Sequence, residues 1–144
     1  MVNNDTMELL KECDRGVKMG IEAIDEVIPR VDDKGLKEVL TDYNIRHEKL
    51  KDELEMLLRS VGCEGAEPNI MAKGMSAVKT NFKMMLEDSD RTVADLMTDG
   101  CDMGIKSLNK YLNEYAAAEE TVKDVTRRII KVEEDFEEDL KKYL

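Results

Sequence analysis

Apolar residues recur at helical spacing along most of the chain. No segment shows the strict apolar–polar alternation of a half-buried strand. In the clearest run the steps alternate between four and three residues, which places every member on one helix face, as in left-handed helical bundles. That run consists of Leu36, Leu40, Tyr43, His47, Leu50, Leu54, Leu57 and Val61. The pattern therefore predicts an all-α protein.

Turn and cap signals divide this pattern into four long helices and a shorter one. Pro29 ends or kinks the first helix, and a Gly- and Pro-containing loop follows the second. The last helix repeats the 4-3 spacing of the second through Val122, Thr126, Ile129, Glu133, Phe136, Leu140 and Tyr143. The predicted helices are an initial one from about residue 5, then 36–61, a short one over 70–87, 90–116, and a final one reaching 143.

The two halves of the chain resemble each other. At an offset of 88, residues 13–18 (CDRGVK) align with residues 101–106 (CDMGIK), and at an offset of 86 the second helix aligns with the last. We therefore expect two antiparallel hairpins, with a connection long enough for the third long helix to start at the far end of the bundle. The predicted organisation is one domain over 1–144, with hairpins at about 5–61 and 90–143 and a crossover at about 62–89.

This organisation resembles the ferritin-like superfamily, and within it small, uncharacterised bacterial domains related to rubrerythrin. Residues 16–18 (GVK) and 104–106 (GIK) are similar to a Gly-Ile-Glu pattern in helices 1 and 3 of such domains. The resemblance covers nearly the whole chain, but it lies in architecture and pattern. It implies a ferritin-like four-helix bundle with a long crossover that carries a short fifth helix.

The resemblance also implies where a di-iron centre would lie, and the residues there are mostly wrong for one. Such a centre takes a Glu from each of two helices and a Glu-x-x-His from each of the other two. Here the second helix has Asn44 and His47 at the motif positions, and the last helix has Ile130 and Glu133. The remaining positions hold Lys18 and Lys106, or their neighbours Val17 and Ile105. We therefore expect a degenerate metal site without a di-iron centre.

His47 and Glu133 occupy equivalent inward positions in the two hairpins, so the sequence predicts that they approach each other. An inward carboxylate needs a partner, because burying it alone is costly. The hypothesis is a buried polar cluster in place of the metal, formed by Lys18, Asn44, His47, Lys106 and Glu133. An alternative is a reduced or rearranged iron or manganese site on His47 and Glu133, with Asp14 or Asp102 as further ligands and oxidase or peroxidase chemistry.

Four glycines lie inside predicted helices, where each costs about 1 kcal/mol relative to alanine. They are Gly16, Gly20, Gly100 and Gly104. The favoured interpretation is close approach of neighbouring helices. A small cavity at the level of His47, able to admit a ligand, is the alternative.

The cysteines and methionines favour packing over chemistry. Three cysteines without close spacing fit neither a disulfide framework nor a zinc motif, and free thiols fit a reducing cytoplasm. Cys13 and Cys101 are expected to be buried, while Cys63, in a loop, is the best candidate for a reactive thiol. The methionine stripe Met71, Met75 and Met85 on the short helix is interpreted as core cover, rather than a Cu(I) site.

Charge narrows the functional classes. The net charge of −11 disfavours nucleic acid as a partner, and no apolar run approaches the length of a membrane span. The acidic runs of the last helix are expected to face solvent. The sequence thus favours a non-enzymatic, cytoplasmic bundle without a cofactor, in a structural, protein-interaction or small-ligand-binding role, with a homodimer as one arrangement.

Overall fold

The computed structural model describes residues 3–63 and 89–144, and these ranges contain helices and no strand. The helices are α1 (Asn4–Val27), α2 (Lys34–Ser60), α3 (Ser89–Glu114) and α4 (Glu120–Leu140). Short 3-10 turns follow α1 at Ile28–Arg30 and α4 at Lys141–Tyr143. The all-helical prediction is confirmed. The short helix predicted over 70–87, with its methionine stripe, lies outside the described residues.

Local capping explains where the helices begin and end. The side chain of Asn3 accepts from the backbone N–H of Thr6 at the start of α1, and Asp33 accepts from Leu36 N–H at the start of α2. Pro29 falls in the 3-10 turn, where its missing N–H and fixed φ stop the α-helix. The helix ends therefore lie within a few residues of those predicted from turn residues.

Hydrogen bonds at the two ends of the bundle fix the directions of the helices. Near the start of α3, the Asp90 carboxylate accepts from the backbone N–H groups of Asp32 and Asp33, in the turn between α1 and α2. At the opposite end, Asn3 donates to the Ala117 carbonyl, and Thr6 accepts from Glu119 N–H, so the start of α1 lies beside the turn between α3 and α4. Helix α1 is therefore antiparallel to α3.

The same contacts show that the end of α2 lies far from the start of α3. Helix α2 has 27 residues, so it carries the chain about 40 Å away from the turn that Asp90 contacts. Helices α1 and α2 pack as one hairpin and α3 and α4 as another, while α1 also contacts both α3 and α4, and α2 contacts α4. The described chain is a four-helix bundle in which α2 ends at the opposite end from where α3 begins.

The predicted inward positions are mostly buried, with one systematic drift. In α2 the face starts at Leu36 as predicted, but its last buried residue is Leu58, while Leu57 is only partly buried. An α-helix has 3.6 residues per turn, so a strict 3.5-residue repeat drifts by about 20° per heptad. After three heptads the neighbouring position has moved to the inside.

The apolar core consists of two clusters along the bundle axis. The first core cluster lies towards the start of α1 and includes Leu10, Leu54 and Val122. The second core cluster lies towards the turn between α1 and α2 and includes Ile24, Leu40 and Phe136. His47 and Glu133 lie in sequence between these groups on α2 and α4. His47 and Glu133 therefore enter the interior at the junction between the two clusters.

Candidate functional site: a buried histidine–glutamate pair

His47 lies on the inner face of α2 and is 1% exposed. Its Nδ1 is 2.6 Å from the backbone carbonyl of Tyr43, one turn earlier, and its Nε2 contacts Glu133 Oε1 on α4. A carbonyl oxygen can only accept a hydrogen bond, so Nδ1 carries a proton and donates it. Both ring nitrogens are thus engaged, and the pair joins the two hairpins.

Glu133 is also largely enclosed, with its side chain 14% exposed. The Cys101 thiol of α3 donates to the Glu133 side chain. Since the carboxylate faces the second nitrogen of an imidazole whose first nitrogen already donates, the arrangement fits a doubly protonated imidazolium against an ionised carboxylate. The middle of the bundle therefore holds an ion pair with a thiol beside it.

The electrostatic balance at His47 agrees with this protonation. Burial by itself lowers the pKa of His47, because a charged ring loses hydration. The hydrogen bond and negative charge of Glu133, together with the Tyr43 carbonyl, act in the opposite direction and prevail, so the pKa of His47 is raised above its usual 6.5.

The space around the His47 ring is closely filled. A Cβ atom placed on Gly20 of α1 would lie 3.0 Å from His47 Cδ2 and 3.2 Å from Nε2, so a larger residue there requires the ring to shift by a few tenths of an ångström. Phe136 of α4 meets the ring edge-on, with the centroids 6.1 Å apart. Close approach at Gly20 is therefore explained by a side chain rather than by a neighbouring backbone.

The other glycines differ from Gly20. A Cβ on Gly104 would meet Glu133 at an ordinary 3.9 Å, and a Cβ on Gly16 or Gly100 would meet nothing within 4 Å. Close helix approach, predicted for all four, is thus wrong for Gly16 and Gly100, which are exposed. The space predicted as a cavity near His47 is occupied at Gly20 by the imidazole itself.

Three of the five residues predicted for the buried cluster lie elsewhere. Lys18 is half-buried and donates to Asp14 at 2.8 Å, one turn earlier on α1. Asn44 donates to Asp25 at 2.8 Å in an exposed contact between α1 and α2. Lys106, predicted to be buried, is exposed, because it lies on the outer face of α3. The structure therefore brings together His47 and Glu133, but not Lys18, Asn44 or Lys106.

The two aspartates considered as additional metal ligands are also separated from the pair. Asp14 is fully buried and is held by Lys18. Asp102 is exposed and forms a hydrogen bond with Glu137, which raises the pKa of the Glu137 carboxyl, with smaller contributions from burial and neighbouring charge. Within residues 3–63 and 89–144, no group of three or more His, Cys, Asp or Glu side chains is arranged to hold a metal ion.

The three cysteines are free. Cys13 and Cys101 are both buried, and Cys63 is half-buried at the end of the α2 segment. Burial raises the pKa of Cys13 to about 12 despite its hydrogen bond with Thr126, and burial and the charge of Glu133 raise the pKa of Cys101 further. Both buried thiols therefore stay protonated and unreactive at neutral pH.

Two features of the site were missed by the sequence reasoning. Cys101 was expected to be an apolar filler, but it contacts Glu133. Tyr43 was expected only as a core residue, but it stacks on Phe136 at 4.5 Å between centroids, and its hydroxyl donates to Asp139 at 2.6 Å. The signal for Tyr43 was its place one turn before His47, which aligns its carbonyl with the imidazole.

The comparisons with known proteins bear on the fold. No protein-family model matches the sequence, and no curated protein matches it. The chain is similar to a crystal structure described as a DUF305 fragment from Deinococcus radiodurans, with a TM-score of 0.78 and 12% sequence identity. The similarity covers 97% of this chain and 95% of that one.

At 12% identity this likeness establishes the fold alone, a bundle of helices. Among the described helices none combines the length and the apolar character required to cross a membrane.

Proposed function

We propose that this protein is a ferritin-like bundle in which the His47–Glu133 ion pair takes the place of a di-iron centre, and that its role is structural or interactive rather than enzymatic. The observation that carries the proposal is the engagement of both His47 ring nitrogens, one by the Tyr43 carbonyl and one by Glu133. A metal-bound histidine needs one nitrogen free of a proton for the metal.

The helix directions support the ferritin-like part of the proposal. The first hairpin ends and the second begins at opposite ends of the bundle, which matches the single long crossover of ferritin-like folds. The observation behind this match is the contact of Asp90 with the turn between α1 and α2. The relationship to rubrerythrin stays a prediction.

The side chains at the remaining ligand positions do not fit a di-iron centre. Ile130 is a buried apolar residue, Asn44 bonds outward to Asp25, and Lys18 is committed to Asp14. Lysines at such positions would repel a cation, and the carboxylates that bridge two iron ions are missing from these positions. No contact within the described residues favours the metal-binding alternative.

The role we favour is binding to a protein through the outer helix faces, with a second copy of this chain as one such partner. Large apolar side chains are exposed there, among them Ile45 and Met56 of α2, which lie 11 residues apart and hence on one face. The filled space at Gly20 argues against a ligand between the helices at His47.

Metal analysis and thermal unfolding test the proposal together. Protein produced with iron and manganese supplied is expected to contain neither in stoichiometric amount, and its Tm is expected to be unchanged by added Fe²⁺ or Mn²⁺. A ligand that binds the native state raises the Tm by mass action. About two metal ions per chain, or a Tm that rises with metal in the wild type but not in Glu133→Gln, would overturn the proposal.

A further inference from the structure

The His47–Glu133 pair is a contact between the two hairpins at the level where the apolar core divides. His47 belongs to α2 in the first hairpin, and Glu133 belongs to α4 in the second. The first core cluster reaches Leu50 and Ile129 from one side, and the second core cluster reaches Tyr43 and Phe136 from the other. A change in the pair therefore alters the polar contact between the two hairpins at this level of the bundle.

The geometry makes this contact depend on one proton. When the ring carries two protons, Nδ1 donates to the Tyr43 carbonyl and Nε2 donates to the Glu133 carboxylate. After loss of one ring proton, a nitrogen lone pair must face either the Tyr43 carbonyl at 2.6 Å or the Glu133 carboxylate. Two acceptors at such a distance repel, so one of the two contacts has to lengthen.

Among the residues that the structure describes, few groups around His47 can compensate for that loss. From α1 it meets Gly20, which has no side chain, and from α4 it meets the Phe136 ring and Glu133. From α3, Cys101 reaches Glu133 rather than the ring, and from α2 itself the contact is a backbone carbonyl. Within residues 3–63 and 89–144, Glu133 is thus the titratable group that faces the ring and Cys101 is the one beside Glu133, and the Cys101 thiol stays protonated.

We propose that the His47–Glu133 pair is a pH-sensitive latch between the two hairpins, closed while His47 carries both ring protons and loosened when one is lost. The latch rests on the proposed metal-free pair. Its sign follows from the raised pKa of His47: the stability it contributes is complete below 6.5, the usual histidine value, and disappears as the pH rises through the higher folded value.

The chain offers a direct probe, because His47 is its single histidine. The Cε1–H resonance of the wild-type protein, followed by NMR against pH, is expected to titrate with a midpoint above 6.5. In Glu133→Gln the midpoint is expected to fall, since the negative charge is gone while the hydrogen-bonding shape remains. A wild-type midpoint at or below 6.5 would overturn the latch, and this result needs no variant to fold.

Hydrogen exchange measures whether the latch moves the helices. Above the midpoint, the amides of residues 44–50 and 130–136 are expected to lose protection on the order of tenfold more than those at the outer turns of α2 and α4. In His47→Gln, which cannot titrate, this extra loss is expected to be absent. Uniform loss along both helices, or the same loss in His47→Gln, would contradict the latch.

The failure of the latch can be told apart from failure of the proposed function by the metal content of the same samples. Metal-free protein with a low His47 midpoint removes the latch and leaves the structural pair. Protein with stoichiometric metal removes both.

Discussion

The two hairpins place the same residue types at equivalent positions and use them differently. Asp14 and Lys18 of α1 form a salt bridge in which the carboxylate is fully buried. Their equivalents, Asp102 and Lys106 of α3, are both exposed, and Asp102 bonds to the carboxyl group of Glu137 instead. The repeat is thus visible in the sequence, while the burial and the partner of each charged side chain are set by the helices packed around it.

The comparison is sharpest at the pair itself. His47 and Glu133 are 86 positions apart, which is the offset that aligns α2 with α4. Because the two positions are equivalent in the repeat, identical side chains at both of them would meet like with like. Two carboxylates facing each other would repel, whereas a histidine and a glutamate are complementary.

The largest expected loss of stability comes from placing the same side chain at both positions of the pair. His47→Glu would oppose two carboxylates in an enclosed site, and breaking a buried pair costs about 3–5 kcal/mol. The free energy of unfolding in urea at pH 7 measures the loss. The exchanged double variant, His47→Glu with Glu133→His, restores the complementary charges and is expected to be more stable than the single variant. An exchanged variant as unstable as His47→Glu would show that shape, including the room left by Gly20, outweighs charge.

Identical substitutions at the two equivalent aspartates are expected to give the second largest difference in stability. Asp14→Asn removes a charge-assisted hydrogen bond in a fully buried position, which is expected to cost about 1–3 kcal/mol. Asp102→Asn is its matched control, because the exposed carboxyl faces another carboxyl, and the stability there is expected to stay within about 0.5 kcal/mol. Equal losses in the two variants would contradict the contrast between the hairpins.

The all-helical bundle and the central pair could be predicted because both follow from periodicity. The 4-3 spacing identifies the inner faces of α2 and α4, and two polar residues at equivalent inner positions have to find each other. The partners of Lys18, Asn44 and Lys106 could not be predicted in this way. Lys18 and Asn44 lie near the edge of a helix face and Lys106 lies beyond it, and there the rotation of the helix decides between the interior, a neighbouring side chain and solvent.

The glycines likewise show what periodicity predicts and what only the packing of the helices decides. In the sequence Gly16 and Gly20 look alike, one turn apart on α1, and both look like sites of close approach. Only the position of the His47 ring distinguishes them, and that ring comes from another helix. Helical periodicity therefore predicts which face a glycine occupies, but not which side chain fills the space above it.

Alanine substitutions at these two glycines test this distinction at the level of about 1 kcal/mol. Gly16→Ala is expected to stabilise the protein by up to about 1 kcal/mol, because alanine favours the helix and its Cβ meets nothing within 4 Å. Gly20→Ala gains the same propensity but must displace the His47 ring, so it is expected to be about 1–2 kcal/mol less stable than Gly16→Ala. Equal Tm values would show that the ring moves freely.

The smallest effect is expected at the carboxyl pair of the second hairpin. The protonated Glu137 carboxyl donates a hydrogen bond to Asp102, and this bond, followed by burial, raises the pKa of Glu137 in the folded protein. A carboxyl whose folded pKa is raised favours the fold below its unfolded pKa and loses that contribution as the pH rises, so the pair weakens the bundle at pH 7. Glu137→Gln is therefore expected to stabilise the protein by a few tenths of a kcal/mol at pH 7 and not at pH 4.

Glu134→Gln, on the exposed face of the same helix, is the matched control. A gain of equal size in both variants would assign the effect to the net charge of −11 rather than to the Asp102–Glu137 contact, and the two hairpins would then differ less than their contacts indicate.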